Sequence, residues 1–379
     1  MTDQAREAAL RDSAITALRS GDPARAMAAL RAMTDPPAML LAQACNRIGD
    51  LEGEAAALRR ILDSDKRNLP ALLAMGQNCL RRADERASIS WFRAALAQAA
   101  ATGAPPQLKP LLDQAQASVA ASSRKFEDHL TAAIRGLPPL PRIAQATDLL
   151  LGKTSLYLQQ PSMFYFPGLP QRAVYERAEF DWVPAVEAMT GAIVDELAAV
   201  RAQDGDFAPY VQTDPNRPTP NNPLHDDPSW GALYFWQRGA PVEANADRCP
   251  AVMAALAHAP MPVIAGRSPI AMWSLLKPGT HIQPHHGLLN TRLICHLPLL
   301  TPEGCALRVG AETRPWRRGE MLLFDDSVEH EAWNRSDQTR VVLLFEVWRP
   351  EIGMEERAAL GRLFEAIDEF GPAQVDTGG

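Results

Sequence analysis

Apolar positions along the first 120 residues recur with a helical period. In LLAMGQNCLRRADERASISWFRAAL, Leu72, Met75, Gly76 and Cys79, and then Ser88, Phe92 and Ala95, are spaced three or four apart on two successive stripes. The arrangement is repeated 34 residues earlier: Cys45 matches Cys79, Gly49-Asp50 matches Ala83-Asp84, Leu58 matches Phe92 and Ile61 matches Ala95. Such a period, with small residues where two helices cross and large ones between them, predicts tetratricopeptide-like helical hairpins. A shorter version, GDPARAMAAL, occupies residues 21–30. Two and a half to three hairpins are expected over roughly residues 5–120. A generic bundle is the competing reading, because alanine-rich helices imitate repeats.

Beyond residue 120 the pattern changes. Residues 121–155 begin as a helix and are interrupted by GLPPLPRI, whose prolines cannot continue one, so this stretch reads as a helical, Pro-rich linker. A helical stripe returns over 181–203 with Val183, Val186, Met189, Ile193, Val194 and Leu197. DPNRPTPNNPLHDDPSW is rich in turn formers and reads as a long loop of the kind that lines binding sites. From residue 269 onward IAMWSLL, TRLICHLPLL, CALRVG, EMLLFDD, HEAWN and RVVLLFEVW are short strands separated by turn residues, followed by a helix in GMEERAALGRLFEAI. The expected fold is therefore α + all-β in two domains: helical repeats over 1–120, the linker over 121–155, and a jelly roll (double-stranded β-helix) with flanking helices over 156–379.

Composition narrows the function classes. The net charge of -7 offers no general attraction to nucleic acid or anionic lipid. The N-terminal stretch MTDQAREAALRDS lacks the basic and apolar regions of a secretory signal, and no run of apolar residues is long enough for a membrane span. The five cysteines are scattered without a C-x-x-C pair, so neither a disulfide framework nor a zinc knuckle is indicated. The expectation is a reducing, cytoplasmic setting with no nucleic-acid or membrane partner.

Five of the eight histidines fall between residues 281 and 330. His281, His285 and His286 cluster at the end of one predicted strand, His296 lies inside the next, and His330 follows the turn FDDSVEH. Imidazoles from two strand ends, 45 residues apart for His285 and His330, suit a ferrous ion with open positions. Any single strand histidine is more often a packed core residue. Arg340 adds weight, because a guanidinium at the start of the apolar strand RVVLLFEVW must meet an anion. That anion is either a dicarboxylate co-reactant or a structural partner such as Asp325, Asp326 or Glu346. Trp230, Trp236 and Trp273 are candidates to line the pocket, although tryptophans in a sandwich are usually core.

The ordered runs SLLKPGTHIQPHHGLLNTRLICHLPL, EGCALRVG, GEMLLFDDSVEHEAWN and RVVLLFEVWRP resemble the catalytic domain of the aspartyl/asparaginyl β-hydroxylase family, and FYFPGLP at 164–170 resembles its entry segment. The resemblance covers roughly residues 160–350. It implies an Fe(II)- and 2-oxoglutarate-dependent dioxygenase that consumes O2, with His285 and His330 as iron ligands and Arg340 as the main clamp on 2-oxoglutarate. It also implies cosubstrate contacts at Ser274 and His296, and places Arg292 near the substrate or cosubstrate carboxylate. Gly287 stands where other dioxygenases carry a carboxylate ligand, an absence the family shares. Water then fills that position, oriented by Asp325 or Asp326. Ile294 departs from familiar animal members, which have a basic residue there.

The implied activity is hydroxylation of an aspartyl/asparaginyl-type side chain of a peptide, protein or amino acid, with a protein partner on the helical repeats. Two rivals are carried forward. One is a non-catalytic repeat-plus-jelly-roll scaffold. The other is a 2-oxoglutarate-dependent halogenase, with chloride in the position left open by Gly287.

Overall fold

The computed structural model describes residues 3–138, 140–202, 207–213, 218 and 222–370. Most of the turn-rich run DPNRPTPNN and the last nine residues lie outside them. The chain divides into two compact units, Met1–Leu151 and Gly152–Gly379.

The first unit is all helix: α1 (Asp3–Arg19), α2 (Pro23–Arg31), α3 (Ala38–Ile48), α4 (Leu51–Ser64), α5 (Leu69–Arg81), α6 (Glu85–Thr102), α7 (Lys109–Ala133) and α8 (Pro141–Leu150). Helix α7 runs unbroken through residue 120, where the composition changes. The repeated Asp residues start helices. Asp22, Asp50 and Asp84 each accept a hydrogen bond from the backbone N–H three residues on, satisfying a donor with no intrahelical partner. The residue before each of these caps turns left-handed, at φ 79° for Gly21 and Gly49 and φ 60° for Ala83. Leu58, Leu72, Leu73, Met75 and Phe92 form the core of the second and third hairpins. A buried carboxylate ties helices together: Glu54 accepts from Asn46 at 2.8 Å, Asn78 at 2.7 Å and Arg81 at 2.5 Å.

The second unit carries two antiparallel sheets. In chain order the strands are β1 (Val174–Tyr175), β2 (Ala208–Pro209), β3 (Trp230–Gln237), β4 (Ala240–Pro241), β5 (Ala271–Leu276), β6 (His281–His285), β7 (Arg292–Leu300), β8 (Cys305–Val309), β9 (Glu312–Pro315), β10 (Leu322–Phe324), β11 (His330–Asn334) and β12 (Arg340–Trp348). The major sheet has the order β1-β10-β7-β12-β5-β3-β2, with β4 paired to β3, and the minor sheet β6-β11-β8-β9. This is the expected jelly roll.

The central strands read as unbroken apolar runs because both faces of the major sheet are covered. Leu293, Cys295 and Leu297 of β7, Leu343 and Phe345 of β12, and Trp273 of β5 pack on one face with α9 (Val183–Ala188), α10 (Thr190–Arg201) and α12 (Pro250–Leu256); the short helix α11 (Glu243–Ala246) precedes α12. The alternate residues Ile294, Leu276 and Val342 face the minor sheet, in a second core with Ile282, Leu307 and Val309. The final helix α13 (Met354–Phe370) buries Leu360 and Phe364 against Leu169, Ile264 and Leu289. Of the three tryptophans considered for the pocket, two fall on the helix side: Trp273 is fully buried there and Trp236 packs against that core. Strand alternation turns Trp273 away from the cavity that its neighbour Ser274 lines.

The repeat core allows one prediction. A Cβ on Gly76 would sit 2.4 Å from the Phe92 ring. Gly76→Leu should therefore destabilise the helical unit by at least about 1–3 kcal/mol, the usual cost of overpacking, read from urea unfolding followed by circular dichroism.

Candidate active site

The two sheets enclose a cavity of about 110 Å³, lined by residues that include His285, His296, His330, Arg340, Ser274, Arg292, Asp326, Glu346 and Trp230. All six site residues singled out from the sequence line this one space.

Antiparallel pairing of β6 with β11 sets His285 directly opposite His330. Residues opposite one another share a face, so both rings project inward; their centroids are 4.1 Å apart. Each ring meets a main-chain carbonyl two residues upstream. His285 Nδ1 is 2.7 Å from the oxygen of Gln283, and His330 Nδ1 is 3.1 Å from that of Val328. A carbonyl only accepts, so Nδ1 carries the proton and Nε2 keeps its lone pair. Burial holds both rings below the ordinary histidine range, further lowered at His330 by His285 beside it. Two neutral nitrogen donors that face each other across a cavity fit a divalent metal of the iron type.

The third position around that pair is shaped by a glycine. A Cβ on Gly287 would fall 2.1 Å from Oδ2 of Asp326, so the Asp326 carboxylate occupies the room a side chain would need. The Gly287 N–H donates to the Asp326 carbonyl at 2.6 Å, fixing the two turns together. Of the two aspartates in FDDS, Asp326 faces the cavity, while Asp325 is fully buried and paired to Arg349 at 2.6 Å.

Across the cavity from the histidines lies Arg340, 1% exposed. Its Nη1 donates to the Ser274 carbonyl at 3.0 Å and to its hydroxyl at 3.4 Å, and its guanidinium stacks over Trp316 at 4.5 Å. No carboxylate of the described residues pairs with it, and Nε has no hydrogen-bond partner. Desolvation pulls its pKa down to about 9, which leaves it a cation at neutral pH. Asp325 pairs instead with Arg349, and Glu346 with Arg292 at 2.7 Å. A buried cation with only neutral partners is a receptor for an anion.

His296 completes this pole. Its Nδ1 accepts from Trp316 Nε1 at 3.3 Å, and burial together with Arg340 lowers its pKa to about 3. The ring is thus neutral with its proton on Nε2, a donor available to a carboxylate or carbonyl. Arg292 sits at the other end of the cavity, on Glu346 and 3.6 Å from Asp326. Ile294, Leu344 and Phe324 separate the two polar ends.

Sequence reasoning passed over Trp316, which positions both Arg340 and His296. It lies in RPWRRG after β9, where no periodicity points inward.

The jelly roll thus turns two neutral imidazoles and a buried guanidinium onto one cavity. Comparison with known proteins points to one class. Residues 187–350 match the family model for aspartyl/asparaginyl beta-hydroxylase. The chain is 37% identical to the aspartyl/asparaginyl beta-hydroxylase of Mus musculus over 138 residues, which is 36% of this chain and 18% of that protein. It is 32% identical to aspartate beta-hydroxylase domain-containing protein 2 of Homo sapiens over 214 residues, 55% of each. It is 33% identical to an ornithine lipid ester-linked acyl 2-hydroxylase of Rhizobium tropici, over 47% of this chain and 60% of that protein. The chain thus spans between about a fifth and three fifths of these relatives' lengths. Residues 187–350, within its C-terminal unit, are therefore similar to the aspartyl/asparaginyl beta-hydroxylase family.

The buried rings impose a pH dependence. A histidine with a lowered folded pKa binds fewer protons than its unfolded counterpart, so stability falls as pH drops below about 6.5. His296 alone should remove on the order of 2 kcal/mol by pH 5. Chemical denaturation of metal-free protein at pH 7 and pH 5 should show the loss, and His296→Gln should shrink it.

Proposed function

We propose that the C-terminal unit is an Fe(II)- and 2-oxoglutarate-dependent dioxygenase that hydroxylates an unactivated carbon of an aspartyl/asparaginyl-type side chain in a peptide, protein or amino acid. The observation that carries this reading is the pairing, across one cavity, of two imidazole lone pairs with a buried guanidinium that lacks a carboxylate partner. His285 and His330 are assigned to the metal. Arg340 and Ser274 are assigned to the far carboxylate of 2-oxoglutarate, which the guanidinium grips as a charge-assisted pair. His296 presents an Nε2 proton to the same cosubstrate. Asp326 stands beside Gly287 to accept from water at the third position.

Iron bound there supplies O2 activation and C–H oxidation as 2-oxoglutarate is converted to succinate. The protein's own part is geometric. Ile294, Leu344, Phe324 and Trp230 exclude water, Arg340 sets how deeply the cosubstrate enters, and Arg292 with Glu346 bounds the end where the substrate arrives. The helical unit is assigned to partner or peptide docking, by analogy with other repeat folds.

The substrate has a second reading with its own support. Ile294 and Leu344 make the space between the polar ends apolar, Arg292 is already engaged by Glu346, and the Rhizobium relative is named for an acyl chain. An acyl-chain substrate therefore belongs in the same screen. The halogenase alternative rests only on the glycine at position 287, and the Asp326 carboxylate already crowds that glycine. The scaffold alternative gives no reason for a buried cation without an anion. Among the described residues, no helix is long and apolar enough to cross a membrane.

Purified full-length chain with Fe(II) should turn 2-oxoglutarate into succinate, at a rate raised by the right substrate from a panel of peptides, amino acids and acyl lipids. His330→Ala should abolish that turnover; undiminished succinate release by this variant would sink the assignment. Arg340→Met should raise KM for 2-oxoglutarate at least tenfold, on the order of 1.4 kcal/mol, in steady-state kinetics.

A further inference from the structure

The segment that carries FYFPGLP forms almost no regular structure, yet it is bonded to both turns that hold the candidate metal ligands. Its Gln160 N–H donates to the Ser327 carbonyl at 2.7 Å, on the turn that leads into His330. The next amides reach the turn that leaves His285: Ser162 N–H donates to the Gly287 carbonyl at 3.0 Å, and Met163 and Phe164 donate to Leu288 at 3.0 and 3.1 Å. Phe166 N–H ends the series on the Asn290 side chain at 2.6 Å. The segment thus works as a strap across two loops that are far apart in sequence.

Beneath the strap is a buried polar network centred on Asp325 and Arg349, both 0% exposed. One oxygen of Asp325 accepts from Arg349 Nη1 at 2.6 Å and from Gln159 Nε2 at 2.7 Å; the other accepts from the backbone and hydroxyl of Ser327. Arg349 also donates to the Pro170 carbonyl at 3.0 Å and to the Tyr175 hydroxyl. Asn290 donates to Gln159 at 3.1 Å and to the Phe166 carbonyl at 3.0 Å. One cation therefore gathers the strap, the turn before β11 and the exit of β12.

The energetics of this arrangement are telling. A fully buried ion pair can usually be replaced by neutral groups of similar size with little loss of stability, because desolvation offsets the attraction. Stability is thus a weak reason for placing one here, whereas geometry is a strong one. Asp325 immediately precedes Asp326, whose carboxylate occupies the room a side chain on Gly287 would need and whose carbonyl holds the Gly287 N–H.

We infer that Arg349 and Asp325 are positioning residues: with Gln159 on the strap they hold the His285 and His330 turns, and Asp326 between them, at metal-binding separation before any metal arrives. This rests on the assignment of His285 and His330 as ligands. Nothing in the network touches the cavity chemistry directly, and its effect is carried through the backbone of residues 325–330.

The test is Mn(II) titration of full-length metal-free protein, followed by calorimetry, alongside its thermal unfolding. Arg349→Met alone strands a buried carboxylate and is unsuitable, so the informative variant is Arg349→Met with Asp325→Asn. This double variant should unfold within a few degrees of wild type while binding Mn(II) tenfold to a hundredfold more weakly, the range seen when groups that orient metal ligands are lost. Gln159→Leu should weaken binding in the same direction by a smaller factor. Wild-type affinity in both variants would overturn the inference. So would failure of both to fold, because the network would then serve stability. A wild-type chain that binds no Mn(II), or binds it equally well after His330→Ala, would instead remove the ligand assignment on which the inference stands.

Discussion

The face-to-face pairing of His285 and His330 depends on a single strand register, and the remainder of the C-terminal unit is arranged to keep it. Antiparallel β6 and β11 place the two residues opposite each other, and a shift of one position would turn either ring to the outside. Carbonyls two residues upstream orient both rings, so the free lone pairs point into the space between the sheets. Burial holds the rings below the ordinary histidine range, and that burial comes from closing the apolar minor sheet over the major one. Chemistry and packing are therefore one requirement.

Three buried arginines show how the fold distributes charge around this pair. Arg349 is fully matched by Asp325, and Arg292 by Glu346. Arg340 has a serine and the face of a tryptophan. Two of the three are therefore matched by carboxylates, and the third has neutral partners among the described residues. Under the proposed function, an anionic co-reactant entering this end supplies the missing countercharge, and preference for a carboxylate follows from the cost of leaving the cation unmatched.

Similarity to this family extends the picture without fixing the substrate. The relatives include proteins named for aspartyl and asparaginyl residues and one named for a lipid acyl chain, and this chain covers only part of each.

Much of the architecture was legible in local pattern. The 34-residue spacing of Gly49-Asp50 and Ala83-Asp84 marked the helical repeat, and the apolar run VVLLFEV marked a strand. His285, His330 and Arg340 were legible because strand ends and a charge in an apolar run are local features. Trp316, Gln159, Asn290 and Arg349 were not. Their roles depend on partners between 20 and 179 residues away, reached through crossings that no period encodes. Trp273 shows the same limit from the other side: its neighbour Ser274 faces the site, and only the register of β5 decides which of the two does. Sequence alone thus determined the elements, their faces and the chemical types available. Tertiary structure decided which carboxylate met which guanidinium, since burial makes pairing compulsory and only the packed sheets determine which groups are close enough to pair.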